Sequence, residues 1–319
     1  MERNGFDIDI DMHGVTMRYG DKTALTDITV NLKAGRIVGL LGENGAGKST
    51  FIHLVAGVLA PSQGDVSVSD ARVGWCSQRL MIDWFVSGRA NIWMGACMAG
   101  LKGRQAQERT DWAIDTVGLN DAPLDKTPEL LSGGQQQRLM IARVLAMDAS
   151  ILLLDEPTVG LDVTSIDRLG RVLAAKRDEG KLIVISSHDF AAVEDIVDDV
   201  LLLDNGSIMF YGAKDEFIRH FAQEEQLDIT IAPGPGHIDE SMLPDRYRLT
   251  VDGTHLSVRQ PTGSPLGPLF EILEREGMVI EDIARKGVTL RDAMRTFNAH
   301  KHEHDTPAES AAGPAEKTA

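Results

Sequence analysis

The sequence predicts an α/β protein built around a parallel sheet, and three observations carry that expectation. Residues 37–41, 151–154 and 182–185 are short continuous apolar runs, the texture of strands buried on both faces. Helical patterns separate them, so crossover helices are the natural connections. The first run ends in a glycine-rich stretch, residues 42–49, that opens a helical pattern through Phe51, Leu54, Val55 and Val58.

The other elements follow in chain order. From residue 6 to 12, Phe6, Ile8, Ile10 and Met12 alternate strictly with Asp7, Asp9 and Asp11, which reads as a half-buried strand. Residues from about 79 to 147 read as mainly helical. Asn205-Gly206 between two apolar segments is the turn chemistry of a tight hairpin, and a helix is expected around residues 215–221. Past about residue 225 the texture changes. Ala232-Pro233-Gly234-Pro235-Gly236 reads as a loop, and strand-like pieces flank Asp252-Gly253, so a small α+β domain is expected at 226–298. From about residue 299 to 319, Ala, Glu, Pro and Thr without apolar periodicity predict a disordered tail.

Composition narrows the function classes. With 43% hydrophobic and 25% charged residues among 319, the chain has the makings of a sizeable core. A formal net charge of −16 argues against broad binding to nucleic acid or anionic membrane, which needs basic patches. Any anion site must therefore be built locally from backbone donors. Cys76 and Cys97 lack metal-ligand spacing and form no disulfide framework, which fits a reducing compartment. No apolar run reaches the roughly 18 residues of a membrane span, and the first residues carry neither a signal-peptide core nor a myristoylation glycine. A membrane role would need a separate anchor.

Two motifs carry chemistry. Gly42-Glu43-Asn44-Gly45-Ala46-Gly47-Lys48-Ser49 has the phosphate-loop pattern between an expected strand and an expected helix. Its glycines let backbone N–H groups turn toward one anion, the helix N-terminus adds a positive dipole end, and Lys48 reaches the outer phosphates. Ser49 offers a hydroxyl to Mg²⁺, and Thr50 follows it into the nucleotide site. The run at 151–154 delivers Asp155 and Glu156 at a strand's C-terminal end, where ligands sit in open α/β sheets. Asp155 would hold Mg²⁺, and Glu156 would polarise the attacking water as general base.

Ser132-Gly133-Gly134-Gln135, some twenty residues before that strand, resembles the signature of the ATP-binding cassette (ABC) family. Ser132 is a good N-cap, and the glycines leave helix N-terminal N–H groups free to meet a phosphate. The resemblance implies a phosphate-loop nucleotide-binding domain over residues 1–225, with an antiparallel β subdomain and a helical subdomain at about 79–147. It also implies that this surface closes on nucleotide held by a second copy, so that each site is shared across a head-to-tail homodimer. Tyr19 looks like the aromatic that stacks on adenine, and Gln78 like the glutamine that touches the metal and the nucleophilic water. Asp162 resembles the dimer-contact loop, and His188 the switch histidine at the γ-phosphate.

The function this resemblance implies is ATP hydrolysis with Mg²⁺, powering a separately encoded polytopic permease at the cytoplasmic face of a membrane. All four tryptophans, Trp75, Trp84, Trp93 and Trp112, cluster in the segment expected to receive that permease, and Trp84 in Asp83-Trp84-Phe85 is the expected contact. Residues 226–298 resemble the C-terminal extension of the drug, polysaccharide and lantibiotic exporter branch, which points to export. The alternative is a soluble ABC-type ATPase of DNA repair or translation. The short stretch from Gln78 to Ser132 leaves no room for the insertions such proteins carry, and nucleic acid is not an expected partner.

Overall fold

The structure is a computed structural model that describes residues 8–69, 72–221, 224–233, 244, 247–262 and 264–305. The chain divides into two compact units, Met1–Lys214 and Asp215–Ala319. The first runs β1 (Asp9–Tyr19), β2 (Lys22–Lys33), β3 (Arg36–Leu41), α1 (Lys48–Val55), β4 (Gln63–Val68), β5 (Val73–Cys76), α2 (Gly88–Met98) and α3 (Gly103–Val117). After a 3₁₀ turn (Pro128–Leu130) come α4 (Gly133–Ala146), β6 (Ile151–Asp155), α5 (Val163–Asp178), β7 (Leu182–Ser187), α6 (Phe190–Val193), β8 (Asp199–Asp204) and β9 (Ser207–Ala213).

The predicted parallel sheet is present, with strand order β5-β6-β7-β3-β8-β9. Every residue of β6 and β7 is buried, which is why their sequences are unbroken apolar runs. Only β9 runs antiparallel, returning through the predicted hairpin, where Asn205 and Gly206 adopt φ of 45° and 77°. The register brings the C-terminal ends of three neighbouring strands to one edge: Leu41 pairs with Ser187 and Asp155 with Ser186. Gly42, Glu156 and His188 are the residues that leave β3, β6 and β7 there.

A separate antiparallel sheet, β2-β1-β4, bears out the alternation expected of the first strand. Ile8, Ile10 and Met12 are buried, while Asp9 and Asp11 are half-exposed; Phe6 and Asp7 lie outside the described residues. Its inner face joins Phe51 and Ile52 of α1 and Leu153, Val184 and Leu201 of the parallel sheet in one core.

The stretch from 79 to 147 is helical only from Gly88 onward. Residues 79–87, at the start of the stretch read as mainly helical, form a loop held by side chain-to-backbone bonds that compete with helix. The buried Asn91 accepts from Asp83 N (2.9 Å) and donates to the carbonyls of Asp83 (2.9 Å) and Ser87 (3.1 Å). Ser87 then caps α2 by accepting from Ala90 N.

The second unit continues with α7 (Lys214–Phe221), β10 (Glu224–Ile231), β11 (Arg248–Asp252), β12 (His255–Pro261), α8 (Gly267–Arg275), β13 (Ile280–Lys286) and α9 (Leu290–Asp305). Its antiparallel sheet, ordered β11-β12-β10-β13, buries Leu227, Ile229, Leu256 and Val258 with Leu269 and Leu273 of α8. The strand-like pieces expected around Asp252-Gly253 are β11 and β12, paired antiparallel across that turn. Thr289 and Asp292 cap α9 reciprocally, each backbone N–H meeting the other's side chain at 3.1 Å. That helix runs to Asp305, past the point from which composition predicts disorder. Residues 234–236 of the expected loop and 306–319 of the expected tail lie outside the described residues.

Candidate active site

Glycine is required in the 42–49 loop by both conformation and space. Gly42 and Gly47 hold φ of 150° and 107°, in the region that side chains disfavour. A Cβ at Gly42 would lie 2.3 Å from Leu203 O, and one at Gly47 would lie 2.6 Å from Leu25 Cδ2 and 2.8 Å from Ala24 O. Gly45, at φ 88°, differs: its Cβ would meet no atom within 4 Å, so conformation alone favours glycine there. Gly47 caps α1 without a side-chain hydrogen bond, so the first-turn N–H groups stay available to an anion.

Lys48 is buried, and its Nζ donates to Gly42 O (2.7 Å) and Glu43 O (3.0 Å). Burial pulls this ammonium below its ordinary range, and the nearby carboxylates of Glu156, Asp155 and Glu43 oppose that pull. The cradle therefore fits a triphosphate. The helix end and Lys48 would hold its anionic oxygens, and Ser49 and Thr50 stand in the first turn beside them.

The facing wall is the end of β6. Asp155 and Glu156 are 2% and 5% exposed, and Glu156 is one of four non-glycine residues described with positive φ, at 53°. His188 Nδ1 approaches Glu156 Oε2 to 2.8 Å, the distance of an ion pair when the imidazole is protonated. Among the described residues Oε2 is a buried acceptor that takes no hydrogen bond of good geometry. Such an acceptor is suited to take a proton from water. Gln78 is exposed two residues beyond Cys76, which pairs with Leu154, so it leaves the sheet on the same edge. Cys76 itself faces inward, and burial pushes its thiol up to about 12.

Tyr19 stands 46% exposed at the β1–β2 hairpin, paired with Lys22. The same hairpin reaches the phosphate loop through the close approach of Ala24 and Leu25 to Gly47. Ser132 caps α4 by accepting from Gln135 N (3.3 Å), and Gln135 Oε1 returns to Ser132 N (2.8 Å). A Cβ on Gly133 would meet nothing within 4 Å, whereas one on Gly134 would lie 2.9 Å from Gly160 O. Asp162 caps α5 by accepting from Ser165 N (2.7 Å), a bond that holds its carboxyl below the usual carboxylate range. Glycines 133 and 134 and the 157–162 segment thus share one surface, joined further by Gln137 Nε2 to Pro157 O (3.4 Å).

One residue of this edge escaped the sequence reading. Ser186 is fully buried, donates to Asp155 Oδ1 (2.5 Å) and accepts from Glu156 N (3.0 Å). Serine at the end of an apolar run carries no signal by itself; only the β6–β7 register shows that it faces Asp155.

A glycine cradle on a helix end, faced by two buried carboxylates and a histidine, defines a nucleotide triphosphatase of the phosphate-loop class. Known proteins specify it further. A family profile described as ABC transporter matches residues 25–159. A protein described as an ABC transporter ATP-binding protein in Pyrococcus furiosus is 35% identical over 71% of this chain and 94% of its own length. The methionine import ATP-binding protein of Caulobacter vibrioides is 34% identical over 69% of this chain and 74% of its own. The manganese transport system ATP-binding protein of Bacillus subtilis is 33% identical over 63% and 85%. Among solved structures, a dimeric ATP-binding cassette in a post-hydrolysis state with ADP and Pi matches at TM-score 0.60 and 23% identity, covering 64% of this chain and 98% of that one, and so shares the fold. The chain belongs to the ABC transporter ATP-binding proteins: it is an ATPase subunit that energises transport.

Proposed function

We propose that this chain hydrolyses Mg²⁺-ATP in two sites shared between two copies of itself, and that the cycle drives a separately encoded membrane permease. The observation that carries the reading is the meeting, at one sheet edge, of Lys48, Asp155, Glu156 and His188, with Glu156 Oε2 buried and 2.8 Å from His188 Nδ1. Gly42, Asn44, Gly45, Ala46, Gly47, Lys48, Ser49 and Thr50 bind the phosphates, and Tyr19 stacks on the base. Ser49, Gln78 and Asp155 would hold Mg²⁺, which would supply positive charge to the phosphates. Glu156 accepts the proton of the attacking water, and His188 orients the group transferred. Ser132, Gly133, Gly134 and Gln135 complete the partner copy's site, with Asp162 at the joint. A dimeric cassette among the structural relatives supports this arrangement.

For the permease, a cavity of about 220 Å³ lined by Trp75, Met81, Met98 and Met140 opens on the helical layer. Methionines make an adaptable apolar receptor for a short helix. Phe85, 96% exposed, is a better contact than Trp84, which is half-buried. Among the described residues no helix is long and apolar enough to cross a membrane, in keeping with peripheral attachment at the cytoplasmic face. The expectation of export rests on the C-terminal extension alone. Relatives named for methionine import and zinc uptake weigh toward uptake.

A tagged pull-down from detergent-solubilised membranes, with ATPase assayed on the eluate, tests the reading. Recovery of a polytopic membrane protein with hydrolysis that Glu156→Gln abolishes is expected. Recovery of ribosomes or DNA-processing factors would replace the transporter by the soluble ATPase alternative.

A further inference from the structure

We infer that Ser186 is a positioning residue for hydrolysis, fixing through one hydroxyl both the metal-binding carboxylate and the backbone of the general base. The inference rests on the roles proposed above for Asp155 and Glu156 and adds the device that sets their geometry.

A serine hydroxyl has one proton to give and lone pairs to receive. Ser186 gives its proton to Asp155 Oδ1 (2.5 Å) and receives the N–H of Glu156 (3.0 Å). The same N–H also approaches the Ser186 carbonyl at 3.2 Å, so the amide between Asp155 and Glu156 is tied twice to one residue of β7. Both bonds follow from the parallel register, which sets Ser186 beside Asp155. Ser186 is 0% exposed, so water does not compete for either bond.

Two consequences follow for the reaction. Engaging Oδ1 restricts the rotamer of Asp155 and leaves Oδ2 as the carboxylate oxygen that would be available to Mg²⁺. Tying the Glu156 amide stabilises the positive φ of 53°. A carboxylate-bearing residue pays for that conformation in strain, and only surrounding bonds hold it. Relaxation of φ would swing the Glu156 side chain away from the site. An apolar residue in place of Ser186 would keep the strand but lose both restraints.

The test compares full-length Ser186→Ala, Ser186→Cys and Ser186→Thr with the unaltered chain, measuring kcat, KM for ATP, the Mg²⁺ half-saturation of turnover, nucleotide binding without metal, and Tm. A hydrogen bond to a charged group corresponds to roughly a ten- to hundredfold effect. Ser186→Ala is expected to lower kcat by about that factor and to raise the Mg²⁺ half-saturation several-fold, while metal-free nucleotide binding stays unchanged. Ser186→Thr, which keeps the hydroxyl, is expected to restore most of both. Ser186→Cys, nearly isosteric with a weak donor, should resemble alanine and serves where alanine does not fold. Unchanged kcat and Mg²⁺ half-saturation in the alanine or cysteine variant would overturn the inference, as would a loss that threonine fails to restore. Glu156→Gln run in parallel separates the two readings: if it retains turnover, the assignment of the site itself fails, whereas if it is inactive and Ser186→Ala is normal, only the role of Ser186 fails.

Discussion

The two cysteines differ in environment enough to be told apart chemically. Cys76 ends β5 buried in the sheet edge, and burial raises its thiol to about 12, which keeps it protonated and unreactive. Cys97, on α2, is half-buried. Alkylation at pH 8 followed by peptide mass spectrometry should modify Cys97 and spare Cys76 until denaturant is added; equal labelling would contradict the buried register of β5. At the phosphate loop, Gly47→Ala should abolish ATP binding. The new methyl would sit 2.6 Å from Leu25 Cδ2 and 2.8 Å from the Ala24 carbonyl, in a left-handed conformation that alanine disfavours. Isothermal titration with nucleotide checks this, and wild-type affinity would show that the loop tolerates a side chain there. Lys48, Asp155 and Glu156 were legible from residue type and spacing. Ser186 was not, because its role depends on which strand lies beside β6, a fact of register that no local pattern carries.

At the scale of elements, α4 is the helix whose start matters most. Ser132 and Gln135 bond each other's backbone there, and replacing such a cap destabilises by about 1 kcal/mol. Ser132→Ala should therefore lower Tm by a few degrees and, if this surface meets a partner's nucleotide, reduce turnover far more than the stability loss explains. A variant with lowered Tm and full turnover would leave Ser132 as a cap only. The buried strands were the most readable elements, because burial on both faces forces continuous apolar sequence. The hairpin at Asn205-Gly206 was readable for a similar reason: its positive φ angles select those residues. Where the helical stretch begins was less legible, because the Asn91 bonds that hold the loop at 79–87 come from the next element. The length of α9 was also missed. Its run of polar and histidine residues past Met294 carries no apolar stripe, and the helix continues from a well-capped start.

For the whole molecule, the proposed sharing of each site between two copies leaves one copy incomplete. The phosphate loop, Asp155, Glu156 and His188 form one edge, and the hydrogen bonds of residues 132–135 run instead within the start of α4. Gly133 is left open toward the outside. Two copies related by a two-fold axis would bring each such surface to the other's nucleotide, an isologous pairing that closes on itself. Bound nucleotide would then join the copies, and hydrolysis would place repelling charge at the joint and release them. Phe85→Asp should leave this cycle intact while uncoupling it from the permease, since Phe85 stands 96% exposed in the loop before α2. Permease-stimulated ATPase in proteoliposomes would read that loss, and undiminished stimulation would exclude Phe85 from the contact.

Light scattering on size-exclusion chromatography of the full chain carrying Glu156→Gln, with and without saturating Mg²⁺-ATP, tests the shared site most directly. A monomer that becomes a stable dimer only with ATP, and reverts to monomer when Ser132 is also changed to Arg, is the predicted result. A chain that binds ATP with full affinity and stays monomeric would contradict it.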